Sequence, residues 1–378
     1  MIYLKIMIDA TSLARTKTGI EVYTENLVSA LIDKLKNQDT LYILLRKEVP
    51  EWITEITKDN IFPVLSPVNS QILCEQLWIP LIKLKYKPDI IHFPAFPPSI
   101  FIKHDIFFTM HDATMWKFPE TLSYKNKLYM KPLSKIALNR AKKVLTVSQT
   151  SLDEISKAFP QVSHKIINTG ISIKNDFHKV TDRERLNEVK ATYHLPDRFL
   201  LTVGSIEPRK NLPFLIETYN QFLNDKEENK KIKLVITGRS AWGSKEIKNI
   251  IKQYSLENQV IFTGYVPEKE LKSLYSLTEY FVFPSIYEGF GLPLLEAMAC
   301  ETPVITSNVS SLPEVAGNAA KYFNPYDKQS LLEVLYECID NQNLSKDLSK
   351  KALLRRGEFS WDLVADKIYK NYQNSSSK

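Results

Sequence analysis

Residues 280–300 read Y-F-V-F-P-S-I-Y-E-G-F-G-L-P-L-L-E-A-M-A-C. The run 280–284 is aromatic and β-branched and closes on a proline, which predicts a buried parallel strand. Gly289 and Gly291 then permit a turn whose backbone angles are closed to other residues. Pro293 suits the first helical position, so a helix is expected from there to about Cys300. Strand, glycine turn and helix in that order leave the N–H groups of Phe290, Gly291 and Leu292 pointing outward at the positive end of the helix dipole, where proteins hold phosphate. Glu288 precedes this anion site and Glu296 lies within the helix. Eight helical residues rise about 12 Å, so the two carboxylates could grip the hydroxyls at the two ends of an elongated ligand. A nucleoside diphosphate sugar has that form. By itself the segment fits equally well two solvated charges at the start of a helix, because glycine turns before helices are weakly specific.

Working outward, strand-like runs at 4–9, 41–45, 89–93, 106–110 and 144–147 alternate with helix-like stretches such as 21–36 and 151–159. After a charged segment at 176–197 the pattern restarts at 199–203, 234–237, 260–263, 280–283 and 304–306. Such alternation predicts two α/β domains with parallel sheets, 1–176 and 177–360, and ligands bound beyond the carboxyl ends of the strands, in a cleft between them. The Ser375-Ser376-Ser377 tail is expected to be disordered.

At 378 residues the chain is long enough for two cores, and 44% apolar with 25% charged residues excludes a disordered chain. No apolar run approaches a membrane span, and the opening M-I-Y-L-K-I-M-I-D-A turns acidic too early for a signal peptide, so a cytoplasmic protein is expected. Cys74, Cys300 and Cys338 are scattered and odd in number, which argues for core residues over disulfides or a zinc site. Net charge is +7, and residues 1–175 hold 23 Lys and Arg against 16 acids, so the N-terminal half carries all of the excess. Much of it falls in 124–143, where Lys125, Lys127, Lys131, Lys135, Arg140, Lys142 and Lys143 alternate with Tyr124, Leu128, Tyr129, Met130 and Leu133. This stretch is a candidate for peripheral contact with an anionic membrane, against the alternative of a solvated helix face, and Pro132 is expected to interrupt a continuous helix. Nucleic acid is not expected as a partner, since no RRM, KH or zinc-finger signature accompanies the charge.

The strand 199–203 runs into Gly204-Ser205-Ile206-Glu207-Pro208-Arg209-Lys210-Asn211. An Arg fork beside a Lys point charge supplies the two positive charges that a departing diphosphate needs. No Asp-x-Asp triplet is present to hold a divalent ion, so a metal-free mechanism without cofactor is favoured, with Arg209, Lys210 and the helix start near Phe290 stabilising the leaving group. His111 follows the strand 106–110, and Gly19 follows the first strand in a tight Thr18-Gly19-Ile20 turn that would admit a diphosphate. No G-x-G-x-x-G follows the first strand, which disfavours an NAD-dependent enzyme.

Assembled, G-S-I-E-P-R-K-N (204–211), F-T-G-Y-V (262–266), F-P-S-I-Y-E-G-F-G-L-P-L-L-E-A-M-A-C (283–300) and S-S-L-P-E-V-A-G (310–317) resemble the retaining glycosyltransferases of family four, and within it the mannosyltransferase-B-like bacterial enzymes. The resemblance implies a GT-B fold: two Rossmann-like β/α/β domains facing each other across a cleft, the first shaping the acceptor site and the second binding the donor, with the last helix, 361–373, packed back on the first. It implies that Glu288 contacts the donor sugar, that Glu296 holds the ribose, that Arg209 and Lys210 bind the diphosphate, that His111 lies beside the donor sugar and that Tyr265 meets the nucleobase. With Gly204, Ser205, Gly289, Phe290, Gly291 and Leu292 these form the expected donor site. No carboxylate is placed as a nucleophile, so front-side attack is expected. The subgroup suggests GDP-mannose as donor, with dTDP-rhamnose or UDP-sugars as alternatives, and a glycan or lipid-linked acceptor at the inner membrane. A sugar-nucleotide epimerase, a phosphorylase and a non-catalytic sugar-nucleotide-binding partner are the competing readings.

Overall fold

The computed structural model describes residues 3–14, 19–121, 124–239 and 244–376. Two compact units divide the chain: residues 1–172 with 360–378, and residues 173–359.

The first unit is built on a seven-stranded parallel sheet of β1 (Lys5–Asp9), β2 (Thr40–Arg46), β3 (Ile61–Ser66), β4 (Ile90–Phe93), β5 (Ile106–Thr109), β6 (Lys143–Thr146) and β7 (Ile166–Asn168). Its order is β3-β2-β1-β4-β5-β6-β7. The order reverses beside β1, whose neighbours are β2 and β4. The central strands β4 and β5 are buried on both sides, apolar except for His92 and Thr109, which hydrogen-bond each other at 2.8 Å. Met7, Ile91, Phe93, Ile106, Phe108 and Val144 share one core with Trp78, Leu138 and Ile155 from the covering helices. The helix Trp361–Ser376 closes this unit, although it follows the second in sequence. Its Tyr372 hydroxyl bonds His92 Nδ1 at 2.6 Å, its Tyr369 hydroxyl donates to the Asp39 carboxylate, and Trp361 lies edge-on to Tyr23 at 5.4 Å.

The second unit has a six-stranded parallel sheet of β8 (Phe199–Val203), β9 (Lys233–Thr237), β10 (Val260–Gly264), β11 (Tyr280–Phe283), β12 (Val304–Ser307) and β13 (Ala320–Phe323), ordered β10-β9-β8-β11-β12-β13. Again the order reverses beside the first strand, between β8 and β11. In open α/β sheets that reversal parts the loops at the carboxyl edge and makes a ligand crevice. The loops leaving β8 and β11 are the two segments that carry Arg209, Lys210 and Glu288.

Three strands escape the sequence reading for identifiable reasons. β3 contains Pro63, which sits there only because β3 is the sheet edge and has one paired neighbour. β7 is three residues long, and β13 is half polar. Two expectations are corrected. The helix Tyr124–Arg140 runs on through Pro132, and Ser375 and Ser376 are the last residues of an ordered helix, with the Ser375 carbonyl accepting from Lys142 Nζ. Ser377 lies outside the described residues. The three cysteines are free and buried, Cys74 and Cys338 within the two cores.

Candidate active site

β8 ends at Val203, and Gly204 turns the chain into the short 3-10 segment Pro208–Lys210. A side-chain carbon on Gly204 would stand 3.2 Å from Lys210 Cε, so the glycine leaves the room that the lysine stem fills. Across the switch point, β11 gives way to a turn over 284–291, and the helix Leu292–Ala299 follows with Pro293 in its first turn. Gly291 caps it at φ +99°, and a side-chain carbon there would meet Leu312 Cδ2 at 2.9 Å. That is where the glycine is required sterically and conformationally. The turn is fastened from outside: Ser311 Oγ donates to the carbonyls of Glu288 and Phe290, both at 2.9 Å, and the Ser310 hydroxyl accepts from the Glu288 N–H at 3.1 Å.

These loops bring the buried Lys210 and Glu288 together with the half-buried Arg209 in one ionic group. Arg209 Nη1 lies 2.7 Å from Glu288 Oε2, Lys210 Nζ donates to Glu288 Oε1, and Arg209 Nε reaches Glu207 Oε2 at 2.9 Å. Ser205 Oγ donates to the other oxygen of Glu207. Lys210 Nζ also lies 4.8 Å from the centre of the Phe283 ring. Burial would raise the Glu288 carboxyl, but the charges of Lys210 and Arg209 outweigh it and hold its pKa at about 2. Burial also lowers the Lys210 ammonium from the ordinary lysine range, against the pull of Glu288. The motif residues therefore neutralise one another: each Glu288 oxygen already accepts one hydrogen bond and keeps capacity for a second.

The spacing between the two glutamates departs from the sequence reading. Glu288 lies in the turn, so only residues 292–296 of the stretch are helical, a rise of about 6 Å. The fold of the turn, not eight residues of helix, sets their separation. Glu296 is half-buried and accepts from the Tyr275 hydroxyl at 2.9 Å. Burial raises its pKa to about 7 in spite of that hydrogen bond. An acid raised from its ordinary 4.5 to about 7 is bound more tightly to its proton in the folded state. Stability should therefore fall as pH rises through this window, and the slope should vanish in Glu296→Gln, which urea melts at pH 5 and pH 7 would show.

Tyr265 follows β10 and is exposed, with the Arg239 guanidinium 4.5 Å over its ring. The N–H groups of Phe290, Gly291 and Leu292 have no protein acceptor among the described residues. In the first unit, His111 follows β5. Its Nε2–H donates to the Pro94 carbonyl at 2.8 Å beyond the end of β4, which leaves Nδ1 as the acceptor of the neutral ring. Burial lowers its pKa against the hydrogen bond to Pro94 and the charges of Asp112 and Glu21, and Tyr23 packs edge-on at 4.6 Å. Gly19 opens the helix Gly19–Lys34, with nothing among the described residues within 4 Å of where a side-chain carbon would stand, and Thr18 lies outside the described residues. Sequence reasoning gave no role to Glu207, Tyr275, Phe283, Ser310 or Ser311. Glu207, Phe283 and the two serines stand inside quoted motifs, whereas Tyr275 becomes legible only when its partner Glu296 is in place.

Residues 184–355 match the glycosyl transferases group 1 family. The O-antigen chain mannosyltransferase B of Escherichia coli is 31% identical over 280 residues, covering 73% of this chain and 72% of that protein. The chain belongs to the glycosyl transferases group 1 family. The serotype-specific mannosyltransferase WbdA of E. coli is 33% identical over 237 residues, 62% of this glycosyltransferase but 29% of WbdA's own length. Among solved structures, Anabaena Alr3699/HepE in complex with UDP and glucose superposes with a TM-score of 0.74 at 16% identity, covering 98% of this chain and all of that one (100%). With its two parallel-sheet units, this glycosyltransferase has the GT-B fold.

Proposed function

We propose that the chain is a retaining, metal-independent hexosyltransferase that moves mannose from GDP-mannose to a growing cell-surface polysaccharide on a lipid carrier, working in the cytoplasm at the inner face of the plasma membrane. The observation that carries this reading is the ion-paired Arg209, Lys210 and Glu288 group at the switch point of the second sheet, next to a helix N-terminus whose N–H groups have no acceptor among the described residues. The mannosyltransferases among the relatives support mannose as the sugar. Arg209, Lys210 and the Phe290 to Leu292 amides take the diphosphate, with Gly204 and Ser205 beside it. Glu288 orients the donor sugar through its remaining lone pairs, Glu296 accepts from the ribose and Tyr265 offers its exposed face to the base. His111 accepts from a sugar hydroxyl through Nδ1. The acceptor hydroxyl attacks on the face that the diphosphate leaves: the C1–O bond to phosphate breaks, the new C1–O bond forms on the same side, and the hydroxyl proton passes to a diphosphate oxygen.

The test is transfer from a panel of GDP-, dTDP- and UDP-sugars to an oligosaccharide acceptor, with and without EDTA, and NMR of the product. Mannose transfer with unchanged anomeric configuration in EDTA is expected. Loss of activity in EDTA restored by Mg²⁺ or Mn²⁺ would overturn the metal-free mechanism. Transfer from dTDP-rhamnose or a UDP-sugar alone would replace the donor, and donor binding without transfer would favour a non-catalytic sugar-nucleotide-binding role.

A further inference from the structure

One continuous helix in the first unit runs through Gln71–Leu73, a π-helical stretch Cys74–Trp78, and Ile79–Tyr86. It buries Cys74, Glu75, Trp78 and Ile79. On its other side Leu73, Leu77, Leu81 and Leu84 are 48%, 52%, 63% and 72% exposed. Steps of four, four and three residues put these leucines in one line along the helix. Gln76 pins two neighbours beside that line. Its carbonyl accepts from Ser99 Oγ at 3.0 Å and its Oε1 from the Ile100 N–H at 3.3 Å, which holds the loop carrying Phe101, itself 63% exposed. Its amide donates to the Tyr129 hydroxyl at 3.1 Å, one residue from Leu128, also 63% exposed.

An apolar row of this length on a protein surface marks an interaction face. Its surroundings are basic on balance: Lys85, Lys87 and Lys103 are exposed, and of the two acids beside them Asp105 is engaged by Lys83 at 3.6 Å and Asp89 accepts from the Lys5 N–H at 2.8 Å. All of the chain's net positive charge lies in the N-terminal half that holds this face. A twofold contact with a second copy would set these lysines against themselves. Anionic lipid complements both the leucines and the lysines.

We propose that the helix over residues 71–86, with Phe101 and Leu128, lies in the surface of an anionic bilayer, leucines toward the acyl chains and lysines at the headgroup phosphates. No helix among the described residues is long and apolar enough to cross a membrane, so the attachment is peripheral. The stretch 124–143, the membrane candidate in the sequence, contributes Leu128 to this face, while its Leu133, Ala137 and Leu138 turn inward. The docking face does not depend on the donor assignment.

Sedimentation of the full chain with vesicles tests it. Vesicles of phosphatidylcholine with about a third phosphatidylglycerol should pull the protein down, and pure phosphatidylcholine at least about tenfold less well, with the difference shrinking in salt. Leu77→Ser, Leu81→Ser and Leu84→Ser combined should lower partitioning about a hundredfold, and Lys85→Gln with Lys103→Gln should remove the preference for the anionic lipid. Because the altered side chains are exposed, the melting temperature and its shift with GDP should not change. Wild-type partitioning by the leucine variant would overturn the proposal, as would a wild-type protein that ignores both vesicles. A dimer that binds no vesicle and is dissolved by the leucine changes would do so too, in favour of a second copy.

Discussion

Lys210→Ala is expected to lower the rate of sugar transfer by about 10²–10³-fold while the protein stays folded. The lysine is buried, its ammonium set against Glu288 and above the Phe283 ring, and its stem packed on Gly204. A charge held in advance at a water-poor site stabilises developing negative charge on the leaving diphosphate without reorganising. Arg209 remains in the variant, which is why a residual rate is expected rather than none. The loss should fall on kcat more than on KM, because the diphosphate bears more charge in the transition state than in the bound donor. Steady-state kinetics beside a circular dichroism melt checks this. A transfer rate within about twofold of wild type would remove Lys210 from the chemistry.

Glu288→Ala should destabilise the chain by about 3 kcal/mol, since it leaves the buried Lys210 ammonium without its carboxylate and Arg209 with Glu207 alone. If those cations are the diphosphate site, a nucleoside diphosphate should offset part of the loss, by about 2.7 kcal/mol at a hundred times its dissociation constant, and should bind the variant more tightly than the wild type. Sensitivity to acid follows from the same pair. Glu288 has its pKa depressed from 4.5 to about 2, so its contribution is complete above 4.5 and lost as pH falls through about 2. The variant should lack that acid limb. Urea melts at several pH values, with and without GDP, measure all three effects. An unchanged melt would show that solvent already compensates the cations, and a destabilised variant with no gain in diphosphate affinity would dissociate the ion cluster from donor binding.

Much of this site is legible in sequence because it is local. A strand ending at Pro284, a glycine that only a left-handed turn needs at 291 and a proline at the next helix start fix the turn by backbone sterics alone. The ten strands read from alternation and apolar runs are the ones with strong β-formers, and the missed ones are an edge strand with proline, a three-residue strand and a half-polar one. Pro132 misled for the converse reason, since surrounding packing carried the helix through a residue that an isolated helix would not accept. Ser375 likewise takes its order from a lysine more than two hundred residues away.

The β/α alternation, the turn over 284–291 and the residue types at the ends of β8 and β11 are written in the chain alone, because these rest on local backbone and burial rules. Tertiary structure decided which charges meet. Only the switch-point geometry sets both oxygens of Glu288 against Arg209 and Lys210, and only the packing of the second unit brings Tyr275 onto Glu296. It also decided which apolar residues stay uncovered: the leucines of 73–84 read in sequence like any helix, and only the sheet beneath them shows that they face outward. The reason is one of range, since an ion pair or a burial fraction depends on partners that the chain brings together from afar.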